Sequence, residues 1–274
     1  MKNNRNSLRR FFKEDHFIWI FILPSAIMLA LFALPLLALF IRSFQAGFFA
    51  YIFSEQAFNA LRLSLITSSI TTAVTILFGT TLAYMLARWK FRFRSWIELL
   101  IDLPIVLPPS VAGLILLMAF GRRGIFGQEL SALGISLPFT TAAVVIAQTF
   151  VAAPFYIRAA RIGFRAIDKQ LEEAAHVEGA NQWQLFREVM FPLAGSALIS
   201  GAILTWTRAL GEFGATILFA GNLEGVTQTM PMAIYLGFES KLGVALALSV
   251  MLVVVSMFLL GLTRKFERNE EQGT

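Results

Sequence analysis

Six stretches of this chain, 17–41, 61–87, 97–120, 140–162, 193–220 and 242–263, are almost wholly apolar, and each is longer than twenty residues. A helix of about 20 such residues crosses the hydrocarbon core of a bilayer. No water reaches that core, so every backbone N–H and C=O must be bonded within the protein, and only helices and closed barrels can span it. The runs therefore predict an all-α, polytopic membrane bundle of six transmembrane helices. Only 15% of the residues are charged, against about 25% in an ordinary soluble domain. That shortfall fits a surface facing lipid.

The first run follows Lys2, Arg5, Arg9, Arg10 and Lys13, as a secretory signal would. Signal cores, however, span about 7–15 residues and end at a small-residue cleavage site. This run has 25 residues and no such end, so it reads as a retained anchor. The absence of cysteine excludes disulfides, thiol nucleophiles and thiolate metal sites. A net charge of +6 would raise nucleic acid as a partner for a soluble protein. Here the placement of the charges reports topology instead, and no nucleic acid is expected.

Of the 23 lysines and arginines, 17 lie in the N-terminal tail, the loop after the second run, the segment after the fourth run and the C-terminal tail. The positive-inside rule assigns those four segments, and hence both termini, to the cytoplasm. Trp19, Trp89 and Trp96 flank the same helix ends, where indoles sit at the headgroup level. The Arg122–Arg123 pair is the one discordant feature. The expected plan is a cytoplasmic tail over 1–16, a transmembrane domain over 17–263 with a cytoplasmic loop at 163–192, and a cytoplasmic tail over 264–274. No inverted repeat of the kind found in many secondary transporters is visible.

That loop holds the most soluble-looking piece of the chain. Asp168 is placed to cap a helix whose first turn carries Glu172 and Glu173, which complement the positive end of the helix dipole. Leu171, Ala174 and Ala175 stand at i, i+3 and i+4 and are expected to share a face. Gly179 suits the left-handed turn that ends a helix. A second helical piece follows with Trp183, Phe186, Val189 and Met190, and Pro192 is expected to open the fifth membrane helix, where a missing N–H costs little. Two readings stand side by side: an amphipathic loop resting on headgroups, or a knob that docks on a soluble partner.

The pattern Glu173-Ala174-Ala175, three residues, Gly179, nine residues, then Val189-Met190-Phe191-Pro192 resembles the EAA loop of ABC importer permeases. The family pattern has Ile at Val189 and Leu at Phe191, and both departures are conservative in bulk. The resemblance covers the second to sixth runs, with the first a common addition. It implies that Glu173, Ala174, Ala175, Gly179 and Pro192 belong to a coupling helix seated in a cleft of an ATP-hydrolysing subunit. This chain contains no G-x-x-x-x-G-K-[ST] loop, the element that cradles nucleotide phosphates. ATP and Mg would therefore be bound by a separate ATPase chain. With no Ser/His/Asp set and no metal-ligand cluster, the chain is expected to be neither an enzyme nor a metal protein, and to hold no cofactor. His16 and His176 both read as solvated surface residues.

Two further stretches break the apolar pattern. In the fifth run, Arg208 and Glu212 are four residues apart and can pair along one face. A lone charge at the bilayer centre would cost at least ~2.5 kcal/mol. Gly211 and Gly214 beside them permit close helix approach or a break. The pair is read either as a packing device or as part of a translocation path. In the third run, Pro104, Pro108 and Pro109 are expected to disrupt the helix near its start, as a buried kink or a pore lining. The Ser/Thr-rich second run is read as interhelical hydrogen bonding in preference to a conduction path.

The segments "RALGEFGATILFAGN", "TQTMPMAIY", "LPIVLPPSVAGL" and "FGRRGIFG" are similar to the oxyanion branch of that family, and to molybdate permeases more than to sulfate permeases. The resemblance implies a prokaryotic inner-membrane core of two copies, two cytoplasmic ABC ATPase subunits, an extracytoplasmic oxyanion-binding protein and surrounding lipid. Tungstate mimics molybdate too closely to be separated from it. The alternatives are a sulfate or thiosulfate permease, and an ion-coupled secondary transporter. The latter would need more titratable groups in the membrane than this chain offers.

Overall fold

A computed structural model describes the backbone of residues 4–44 and 47–272 and the side chains of residues 20–44 and 47–261. The chain divides after Phe48 into two units. The first unit is built on α1 (Asn4–Ser43), which runs through Pro24 and Pro35 and contains a candidate span at Ile20–Ser43. His16 and Trp19 lie outside the residues whose side chains are described. A short helix, α2 (Phe48–Ile52), follows.

The second unit is built around α3 (Glu55–Arg88) and α7 (Thr141–Ala166). Both start on hydroxyl caps: Ser54 accepts from the Ala57 amide and Thr140 from the Ala143 amide, each at 3.2 Å. Between them come α4 (Arg94–Val106), α5 (Pro109–Phe120) and α6 (Gly127–Ala132). After α7 come α8 (Lys169–Val177), α9 (Gln182–Gln184), a π-helical turn (Leu185–Met190) and α10 (Phe191–Leu193). The chain closes with α11 (Gly195–Leu210), α12 (Gly214–Ala220), α13 (Met230–Ser240) and α14 (Leu242–Gln272). Every regular element among the described residues is helical, so the fold is all-α.

The third and fifth apolar runs are not single rods. Four helices are long and apolar enough to cross a membrane unbroken; the other two candidates are bent pairs, α4 with α5 at 120° and the 182–193 segment with α11 at 70°. Pro104 does not disrupt its helix, which continues to Val106. The break lies at Leu107 and Pro108, where both residues are extended and Pro109 restarts the helix. α13, at eleven residues, is too short to cross a bilayer by itself.

Small residues let the central helices touch. A β-carbon on Gly163 would stand 2.5 Å from that of Ala197, and one on Gly201 would stand 2.9 Å from that of Ala159. α11 thus packs backbone to backbone on α7. The Ser/Thr-rich face of α3 is buried at Ser64, Thr67, Ser68, Thr71 and Thr75, and it bonds its neighbours. Thr71 Oγ1 donates to Gln148 Oε1 at 3.1 Å, Thr80 and Tyr156 share a hydroxyl bond of 2.6 Å, and Ser64 Oγ accepts from the Met230 amide at 2.7 Å. Ser64, Thr71 and Thr80 thus make interhelical bonds, while Thr67, Ser68 and Thr72 donate to carbonyls of α3 itself.

Candidate functional site

α8 forms as its residues dictate. Asp168 accepts from the Gln170 amide at 3.0 Å. Gly179 has φ +87°, and the bonds Gly179 N–H to His176 O (3.0 Å) and Ala180 N–H to Ala175 O (2.9 Å) close the helix. No atom lies within 4 Å of a β-carbon placed on Gly179, so glycine is needed there for its backbone angle and not for space. Asn181 then caps α9, with Gln184 returning the bond.

The helix presents one face outward and one inward. Leu171, Glu173, Ala174, His176, Val177 and Glu178 are exposed, Val177 by 85%. Ala175 and Glu172 are half-buried, and Ala175 packs on the core of α3, α7 and the π turn. The expected common face of Leu171, Ala174 and Ala175 is thus divided, because the bundle reaches the helix from the Ala175 side.

The attachment of α8 was not legible in the sequence. Arg88, at the last turn of α3, meets Glu172 at 2.7 Å and donates to the Ile167 carbonyl at 2.9 Å. Behind it, Phe186 stacks edge-on to Tyr84 (4.9 Å between centroids) and also meets Phe164, Trp183 and Phe191. Met190 and Leu185 are fully buried beside them. Pro192 sits in α10, ahead of the bend, and α11 starts only at Gly195. It therefore ends the loop instead of opening the membrane helix. Between α4 and α7, the Glu98 carboxylate faces Arg94 (3.1 Å), Arg161 (3.1 Å) and Arg165 (2.8 Å), and Asp102 accepts a two-pronged bond from Arg158 (2.7 and 2.9 Å).

The second group of residues singled out in the sequence meets at two helix breaks. α11 stops at Leu210 and α12 begins at Gly214. Glu212, 1% exposed, spans the gap: Oε2 pairs with Arg208 at 2.7 Å, and Oε1 accepts from the Ala215 amide at 2.8 Å. A β-carbon on Gly214 would lie 2.6 Å from the Pro109 β-carbon, and one on Gly113 would lie 2.7 Å from the Ala215 carbonyl. The Pro108–Pro109 break thus abuts the Gly211–Gly214 break. Gly211 itself has φ −88° and only Thr207 O, 3.8 Å away, near its missing β-carbon; the geometry does not require glycine there.

The family profile of "binding-protein-dependent transport system inner membrane component" matches residues 75–271. The molybdenum transport system permease protein ModB of Mycobacterium bovis is 41% identical over 238 residues, covering 87% of this chain and 90% of that protein. The molybdate/tungstate transport system permease protein WtpB of Thermococcus kodakarensis is 34% identical over 212 residues, 76% and 80% of the two chains. Among solved structures, a chain of a bacterial alginate ABC transporter in complex with its alginate pentasaccharide-bound periplasmic protein superposes with a TM-score of 0.78. It is 18% identical and covers 95% of this chain and 96% of that one.

Proposed function

This chain belongs to the inner-membrane components of binding-protein-dependent transport systems, as a multi-pass membrane permease, and from that premise we propose that it forms the translocation path of an ATP-driven importer for a tetrahedral oxyanion, molybdate or tungstate. Its relatives carry those substrates in their names. Two copies form one pore, with both termini and the 163–192 loop in the cytoplasm. Two ATPase subunits bind below, and an external oxyanion-binding protein delivers substrate from above. The chain hydrolyses nothing itself.

One observation carries the coupling role. α8 is a short, exposed knob whose inner side is held to the bundle by the Glu172–Arg88 ion pair and by Ala175 packed on the core. Its free side offers Leu171, Ala174 and Val177, with Glu173 and Glu178 at the rim. Such a knob suits a cleft on a soluble subunit, with small residues allowing close approach and carboxylates meeting cations at the edge. Movement of that subunit would reach the bundle through α8. The Pro108–Pro109 and Gly211–Gly214 breaks, where two bent segments touch, would form the gate, and the Arg208–Glu212 pair would hold one half of it.

Uptake by the reconstituted complex tests this reading. Radiolabelled molybdate should accumulate in vesicles only with ATP, stop with vanadate, and be displaced by tungstate more readily than by sulfate. Preferential displacement by sulfate would move the chain to the sulfate branch. Uptake driven by an ion gradient without ATP would refute the importer.

A further inference from the structure

The Arg88 guanidinium joins three elements. It extends from the last turn of α3, and its Nη1 lies 2.7 Å from Glu172 Oε1 in α8. Its Nη2 donates to the carbonyl of Ile167, the residue that ends α7 and leads into α8 (2.9 Å), and approaches Met190 Sδ in the π turn at 4.0 Å. The two side chains are only 10% and 21% exposed. Neighbouring positions on α3, Ala83 and Leu86, are buried in the same core as Phe164, Leu185 and Met190. A planar guanidinium with fixed donors holds such an arrangement in one geometry, which a flexible ammonium does not. α3, by its 34 residues, is about 51 Å long, longer than the roughly 30 Å hydrocarbon core of a bilayer. Its far half bears the hydroxyls that bond Gln148 and Met230.

We infer that Arg88 is a positioning residue: paired with Glu172, it forms a strut that passes displacement of α8 to α3, so that a push on the loop moves the bundle's central helix along with the directly connected α7 and α11. This rests on the coupling role proposed above. α8 is covalently linked to α7 only through Ile167 and Asp168, a joint that could swivel. The Arg88 ion pair with Glu172 and its hydrogen bond to the Ile167 carbonyl brace that joint.

The test uses the whole transporter, permease with ATPase subunits and binding protein, reconstituted in vesicles. Arg88→Gln, Glu172→Gln, Arg88→Lys and the exchange Arg88→Glu with Glu172→Arg are each measured for molybdate taken up per ATP hydrolysed, with subunit stoichiometry checked by co-purification. Each single neutralisation is expected to lower uptake per ATP by about tenfold, within the range for residues of coupled networks, while the complex still assembles and hydrolyses ATP. Arg88→Lys should recover part of the ratio, and the exchange should exceed either Gln variant. An unchanged ratio in Arg88→Gln within an assembled complex overturns the strut, as does an exchange no better than the single variants. Ala174→Cys, on the outer face, separates the two proposals. Crosslinking of this cysteine to the ATPase together with an unchanged ratio in Arg88→Gln refutes the strut alone, and no crosslink to the ATPase in an otherwise wild-type complex refutes the coupling role itself. Should Arg88→Gln fail to assemble, the ratio in Glu172→Gln and the exchange decides.

Discussion

Gly214 and Pro109 lie so close that a β-carbon on the glycine would stand 2.6 Å from that of the proline. Two interrupted helices therefore touch at their interruptions, and no side chain fits between them. Gly214→Ala should destabilise the purified permease by about 1–3 kcal/mol, the usual penalty for overfilling a packed contact. It should also slow uptake. Gly211→Ala, three residues earlier and uncrowded, should stay within about 0.5 kcal/mol of the parent. Thermal unfolding in detergent compares them, and equal damage from both would mean the contact does not set the requirement.

Glu212 does two jobs with its two oxygens, pairing with Arg208 and capping α12 at Ala215. Glu212→Ala strands the arginine and frees a buried amide. Removing one partner of a buried pair costs about 3–5 kcal/mol, and the 30% exposure of Arg208 brings the expected loss below that range. Arg208→Met combined with Glu212→Gln removes both charges while leaving an acceptor for Ala215. It should therefore be milder than Glu212→Ala in both stability and transport. If the double variant is the more damaging, the ion pair itself is needed for function.

At Gly179 the demand is purely conformational. Gly179→Asn should be nearly silent, since asparagine visits the left-handed region. Gly179→Ala should cost about 1 kcal/mol through the same torsion. Gly179→Pro removes the N–H that bonds His176 O and forces φ negative, so α8 loses its ending. ATP-driven uptake and ATPase binding should both fall, while the melting temperature of the isolated permease barely moves. Normal uptake in the proline variant would remove α8 from the coupling path.

The all-α membrane fold could be read from the sequence because apolar run length answers to one physical constraint, bilayer thickness. Local chemistry was equally readable at Asp168 and Gly179, whose roles depend on neighbours within three or four residues. What escaped depends on contacts far along the chain. Pro104 continues its helix while Leu107 breaks it, and no local rule separates the two. The division of α8 into inner and outer faces is set by where α3 ends. Arg88 counted toward the positive-inside bias, and Glu172 toward a helix dipole, yet they pair 84 residues apart in sequence. A basic residue in the last turn of a span followed by an acidic cytoplasmic helix is the one hint the sequence held. The π turn at 185–190 left none.

Ser64 and Ser69 give a final contrast on α3. Ser64 Oγ takes the Met230 amide in a fully buried site, so Ser64→Ala should cost about 1–3 kcal/mol, the penalty for an unsatisfied buried donor. Exposed Ser69 receives the half-buried Trp206 indole at 3.2 Å, and Ser69→Ala should be within experimental error of the parent in the same melting assay. Comparable losses would show that the exposed bond is as well shielded as the buried one.

The hydroxyl ladder along α3 also constrains how the molecule can move. Thr71 with Gln148, Thr80 with Tyr156 and Ser64 with Met230 sit at different heights on one helix, and each pair matches in only one register. Sliding α3 against its neighbours by a single turn would unmake every pair at once with no water to replace them. The ladder therefore opposes sliding of α3 and favours displacements in which α3 and the helices it bonds move together.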